Sequence, residues 1–488
     1  MGLAEEHPSV RTVGRLAVGR PGCCYSRPIV SGLLLFLTAL HSVAEPLTSA
    51  LARTYQQNPS IQAALAGVKA TAELLPQARA GYLPNLSLQG VGTQTTTRQT
   101  TRTHVGTETA NGRTDYTLTS PSLELILTLN VYNGGATSAS LAAAEASVAA
   151  ALARLDGTVD QVLLSVTTSY ADVLRLNALI QLNDDVAQQL RQLEQESRSL
   201  FAKRLGTLTD VAQATASVAN IGAQRTSLEA SLAAARGNYT ALSGQAPDSA
   251  TDWPSLPPLP GTLEEIKAIA EAGNPALRAA RFSADSARAG IAVAKGALRP
   301  TVDLYATYLR TWDSYRYTSP STADLFQPEE DIAIGVQLNV PIFSGGKHHS
   351  QVRQAHATFN QSQSLMTDTY RQLMSTVEAD WAAFEMARAR TELVAQEVEA
   401  MQQTLDGFYR QFQSGLSTMK DVLDARQNLD SALEQQLQAR YDLFMGQVNL
   451  LQVMGRYDPR GLGLAVEPLG AESYVEAVRH RLFGTDID

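Results

Sequence analysis

Between Asp331 and Ile342 every second residue is apolar: Ile332, Ile334, Val336, Leu338, Val340 and Ile342 alternate with Asp331, Ala333, Gly335, Gln337, Asn339 and Pro341. Leu123, Leu125, Leu127, Leu129 and Val131 keep the same period of two. Successive side chains of a strand point to opposite faces, so each stretch predicts a strand with one apolar and one polar side. Weaker strands precede them at Leu86 and Leu88, and at Val302, Leu304, Ala306 and Tyr308. The polar segments Thr93 to Ser120 and Asp313 to Glu330 read as connectors within each strand pair.

Elsewhere the pattern is helical and long. Ala136 to Lys203 runs 68 residues without proline, a helix on the order of 100 Å at about 1.5 Å per residue. Thr207 to Ser243 and Pro59 to Gly81 are shorter, about 55 and 35 Å, so the two stacked end to end nearly match the long helix. Alanine is abundant at Leu141-Ala142-Ala143-Ala144, Ala149 to Ala151 and Ala233 to Ala235, which suits close helix packing.

These elements occur twice. Asn58-Pro59 recurs as Asn274-Pro275, 216 positions on, while Gly134-Gly135, Phe201, Asp210-Val211 and Gly244 recur as Gly345-Gly346, Phe412, Asp421-Val422 and Gly455, each 211 positions on. A constant offset means equal helix lengths in both halves, with the five-residue difference falling between Pro84 and Gly134. The expected organisation is a signal segment 1–44, a first repeat 45–260, a second repeat 261–460 and a tail 461–488. Strands that must satisfy every backbone group in lipid close into barrels of at least about eight, so four per chain call for several chains, and three give twelve.

The N-terminus adds a compartment. Arg11, Arg15, Arg20 and Arg27 precede the apolar run Ile29 to Leu40 and then Ser42-Val43-Ala44, the order of a cleaved secretory signal; the run is too short for a spanning helix, which needs roughly 20 residues. Both cysteines, Cys23 and Cys24, lie ahead of that run. Without residues 1–44 the chain keeps 35 of its 39 basic and 46 of its 48 acidic side chains, which disfavours nucleic acid as a partner. No later stretch reaches 18 consecutive apolar residues. Gly345-Gly346-Lys347 lacks the spacing of a phosphate-binding loop, and His348, His349 and His356 read as exposed helical histidines, so neither an enzyme nor a cofactor is expected.

Taken together, Asn58-Pro59, Leu83-Pro84, Val340-Pro341-Ile342-Phe343-Ser344-Gly345-Gly346, Ser350-Gln351-Val352-Arg353-Gln354-Ala355 and Asp421-Val422-Leu423-Asp424-Ala425 resemble the TolC family of outer-membrane channels from about Pro46 to Gly455. The resemblance implies an α+β membrane protein. Three chains would form a homotrimeric twelve-stranded outer-membrane β-barrel continuous with a periplasmic α-helical barrel, docked on a periplasmic adaptor protein and an inner-membrane ABC transporter. No cysteine follows the apolar run, and the Phe-Ser-Gly-Gly and Ser-Gln-Val-Arg-Gln-Ala runs are similar to secretion members. Those features favour the exit duct of a type I secretion system carrying an exported protein; a multidrug efflux duct is the alternative, and a soluble periplasmic coiled-coil adaptor the reading of another class.

Asp421 and Asp424 match the family's acidic ring at the periplasmic entrance, and Thr209 and Asp210 hold the equivalent place in the first half. Three apart, the two aspartates share a helix face, and six carboxylates round one axis would attract cations and titrate above an isolated aspartate. From the residues alone, acids in the first turn of a helix are equally accounted for by the helix dipole. Ser417 stands where the family has a gate-locking arginine, while Arg204 lies in the first-half turn.

Overall fold

A computed structural model describes residues 47–247 and 253–486; the expected signal segment lies outside them. The first half runs α1 (Leu47–Gln57), α2 (Pro59–Ala72), α3 (Leu74–Ala80), β1 (Asn85–Val105), β2 (Glu108–Asn133), α4 (Ala136–Ala202) and α5 (Leu208–Ser243). The second runs α6 (Leu263–Gly273), α7 (Pro275–Gly296), β3 (Thr301–Ser319), β4 (Ala323–Asn339), α8 (Lys347–Gln413) and α9 (Met419–Val453), followed by α10 (Ala471–Val478). Both long helices have 67 residues, so each measures about 100 Å. In place of one helical stretch to Gly81, α2 and α3 are separated at Glu73: Pro76 has no N–H to give the carbonyl of Ala72, and its ring crowds that carbonyl.

The Asn-Pro pairs explain the repeat. Asn58 accepts from Ser60 N at 2.9 Å and donates Nδ2 to Leu242 O at 3.1 Å. Asn274 accepts from Ala276 N and Leu277 N and donates to Val453 O at 3.0 Å. Each asparagine thus caps its own helix, with proline at the first helical position, and pins it to the end of α5 or α9.

The four strands form one antiparallel sheet in the order β1-β2-β3-β4. Pairings such as Leu88 with Leu125, Leu125 with Tyr308 and Tyr308 with Ile332 set an apolar row on one face. Gln89, Glu124, Leu309 and Asp331 pair across the other, where Asn130 Nδ2 bonds Asp303 at 2.7 Å. The apolar face is the open one: Ile332 and Ile334 are 76% and 83% exposed, while Glu124, Asn130 and Asp303 on the other are half-buried. That inversion is what a strand needs with lipid outside and water within. The apolar row from Leu123 to Val131 spans about 27 Å along the strand, or roughly 21 Å at a barrel's usual tilt, approaching a membrane barrel's apolar band of about 25 Å.

Two expectations change. Thr93 to Ser120 is not a connector but paired strand, from Thr93 with Ser120 up to Val105 with Glu108, and the Asp313 to Glu330 segment is paired up to Tyr317 with Ala323. Threonine favours strand, and with water on both faces nothing selects an apolar alternation. At the other end β4 stops at Asn339, because Pro341 cannot donate to a ladder; Ile342 and Phe343 are 93% and 88% exposed. Gly134-Gly135 and Gly345-Gly346, all with positive φ, then turn each strand into its long helix.

The largest core lies where α4, α9 and the shorter helices meet, around Leu163, Val166, Ile61, Ile266, Leu277, Val448 and Tyr457. Trp253, ahead of α6, packs against it, its ring meeting that of Phe444 at 5.2 Å. The tail clasps it from the other side: Tyr474 OH donates to Glu73 at 2.8 Å and Arg79 Nη1 to Arg479 O at 2.8 Å.

Candidate pore entrance

Both helical hairpins turn in the same way. After α4, Arg204 adopts φ 59° and Leu205 N bonds back to Leu200 O; after α8, Gly415 adopts φ 73° and Leu416 N bonds back to Gln411 O. This left-handed closure satisfies the last carbonyls of each helix. Glycine tolerates the conformation freely and arginine does not. Leu205 and Leu416, at the two tips, are 74% and 81% exposed.

The next residues start α5 and α9 with matching capping boxes. Thr207 N and Oγ1 donate to Asp210 Oδ2 at 2.9 and 2.7 Å, and Asp210 N donates to Thr207 Oγ1 at 3.2 Å. Thr418 N and Oγ1 donate to Asp421 Oδ2 at the same two distances, with Ser417 Oγ adding a third bond at 3.1 Å. Three donors on one oxygen, led by the Thr418 hydroxyl, hold the Asp421 carboxyl below its ordinary range. Within one chain the bias on Asp421 is therefore opposite to the upward shift expected of a crowded ring. Asp424 is exposed and paired with Lys420 one turn before it, and Thr209 is exposed on the first turn of α5. So Ser417, in the family's arginine position, braces Asp421 within its own chain.

Behind the turns, cross-helix bonds tie α8 and α9 to α4. Tyr409 OH on α8 donates to Glu196 on α4 at 2.9 and 3.1 Å. Arg426, only 5% exposed, bonds Gln189 of α4 and pairs with Asp430 at 2.8 Å. Sequence reading missed Arg426, although its spacing from Val422 and Leu429 puts it in the apolar stripe of α9, where a charge is out of place.

The arrangement sets Asp210 and Asp421 in the capping boxes that start α5 and α9, with Asp424 exposed one turn further on. A family described as outer membrane efflux protein matches residues 50–245 and 268–456. Outer membrane efflux protein BepC of Brucella suis is 28% identical over 459 residues, covering 93% of this chain and 95% of BepC. Outer membrane protein TolC of Escherichia coli is 29% identical over 455 residues, covering 89% and 87%. The alkaline protease secretion protein AprF of Pseudomonas aeruginosa is 25% identical over 311 residues, covering 62% and 63%. In fold, the outer membrane protein VceC of Vibrio cholerae superposes with a TM-score of 0.68 at 23% identity, over 84% of this chain and 96% of VceC.

Proposed function

The chain belongs to the outer membrane efflux protein family, and from that premise we propose that it is the exit duct of a tripartite type I secretion system. In this reading three copies close a twelve-stranded barrel in the outer membrane and a helical tunnel in the periplasm, and a periplasmic adaptor and an inner-membrane ABC transporter deliver an exported protein. The observation that carries assembly is incompleteness. The sheet has free edges at β1 and β4, its apolar face is open, and α8 buries only Leu373, Val377, Ala387, Val394 and Leu405 along 67 residues while Leu365, Met386 and Leu393 stand exposed. Surfaces of that kind are completed by copies of the same chain.

Kinship with AprF and the secretion-like runs at Phe343 to Gly346 and Ser350 to Ala355 favour protein export over drug efflux. The second reading, a drug-efflux duct, rests on BepC, whose likeness extends over more of the chain.

Asp421 and Asp424 line the entrance in this proposal, with Thr209 and Asp210 beside them. The Asp421 cap keeps its charge at neutral pH, so the ring selects cations. In planar bilayers Asp421→Asn with Asp424→Asn should lower cation selectivity and relieve block by multivalent cations. Wild-type selectivity in the double variant would remove these acids from the constriction, and a stable monomer in detergent would remove the duct itself.

A further inference from the structure

Where α9 meets α4 and α5, a polar cavity of about 400 Å³ opens, behind the turn that carries the acids. Its walls are chemically lopsided. The residues lining it from α4 and α5 are aliphatic, amide or hydroxyl side chains, whereas α9 supplies Lys420, Asp424, Arg426, Asp430 and Glu434. Both cations are engaged, Lys420 by Asp424 and Arg426 by Asp430. Three carboxylates against two cations leave the cavity net negative.

Two groups in it lack what their burial calls for. Asn183, 5% exposed, has no donor for its Oδ1, and an acceptor stripped of water without a replacement is costly. Burial holds the Asp430 carboxyl up at about 6 although Arg426 lies beside it, and Glu434 adds to the rise. A second positive charge at that carboxyl would offset both effects. The missing component is therefore a cation that also donates hydrogen bonds. Asp430 and Glu434 are one turn apart, about 6 Å along the helix, which is close to the nitrogen spacing of a four-carbon diamine.

We infer that this cavity binds a small alkyl diammonium cation, with Asp430 and Glu434 each taking one ammonium and Asn183 Oδ1 accepting an N–H. Its occupancy ties α9 to the α4–α5 pair. The inference does not depend on what the duct carries.

Calorimetric titration of the full chain in detergent with 1,4-diaminobutane tests it. Saturable binding is expected, with butylamine about threefold weaker because it leaves one carboxylate unpaired. Glu434→Gln, at an exposed position, should weaken the diamine about threefold, and Asn183→Leu by a similar factor. Asp285→Asn, exposed on α7 and outside the cavity, should leave binding unchanged. Equal binding of diamine and monoamine would overturn the inference, as would wild-type affinity in both Glu434→Gln and Asn183→Leu, or loss of binding in Asp285→Asn.

Discussion

Asp160 sits in the middle of α4 with 2% of its surface exposed, and neither carboxylate oxygen has a hydrogen-bond partner. Burial, reinforced by Asp458 and Asp156, raises its pKa from 3.8 to about 7; Arg278 acts against the rise, but its guanidinium is bonded to Asp156 at 3.2 Å. A carboxyl with a raised folded-state pKa holds its proton more tightly in the fold than in the unfolded chain. The fold therefore loses stability as pH climbs past 3.8, and the loss levels off above about 7. At 1.36 kcal/mol per unit the full loss is on the order of 4 kcal/mol per chain, and about two-fifths of that is already present at pH 5.

Asp160→Asn keeps the shape and removes the charge. Its gain over wild type should be absent near pH 3.5, about 2 kcal/mol at pH 5 and about 4 kcal/mol at pH 8. Denaturant unfolding of the detergent-solubilised protein at those three values measures it. A gain that does not grow with pH would mean that the wild-type carboxylate finds a partner or water in the fold, and the argument from burial would fail.

Asn274→Ala removes a cap from two N–H groups and orphans the buried carbonyl of Val453, so it should destabilise by about 2 to 3 kcal/mol in the same unfolding assay; a cost under about 0.5 would show that the pin carries no strain. Arg204→Gly relieves a left-handed arginine and should stabilise the α4–α5 turn by about 1 kcal/mol, seen as slower hydrogen exchange at Arg204 and Leu205; faster exchange would mean that the arginine side chain holds the turn.

The repeat was legible because it is written twice, and the same bonds serve both copies: Asn58 and Asn274 each cap a helix and reach a carbonyl 184 or 179 residues along the chain. Long helices were legible from length, and the membrane strands from alternation, since lipid on one side and water on the other leave a period of two. The Thr-rich hairpin was not, because residues wet on both faces carry no such period. Burial without periodicity also hides. Asp160 follows Val159 and precedes Leu163 on a stripe that looks continuous, and only the fold shows that Asp458 and Asp156 crowd it while Arg278 is taken. Asp421 was found by its position in a motif, but its bonds to Thr418 and Ser417 depend on rotamers that residue spacing does not specify.

The placement of the core gives these details leverage on the entrance. From Asp160 to Ala202 is about 63 Å of unbroken α4, so a tilt of one degree at the core displaces the α4–α5 turn by about 1 Å. Nearer the turns, the α4–α5 pair meets α8 and α9 through Tyr409 to Glu196, Arg426 to Gln189 and the smaller core of Val186, Leu190, Val422 and Leu429. The main core, its two asparagine pins and its clasping tail therefore set the angle at which each helical pair leaves it. The long helices convert that angle into the position of Asp421 and Asp424 at their far ends, so substitutions near Asp160 or Asn274 should act on the proposed entrance by geometry alone.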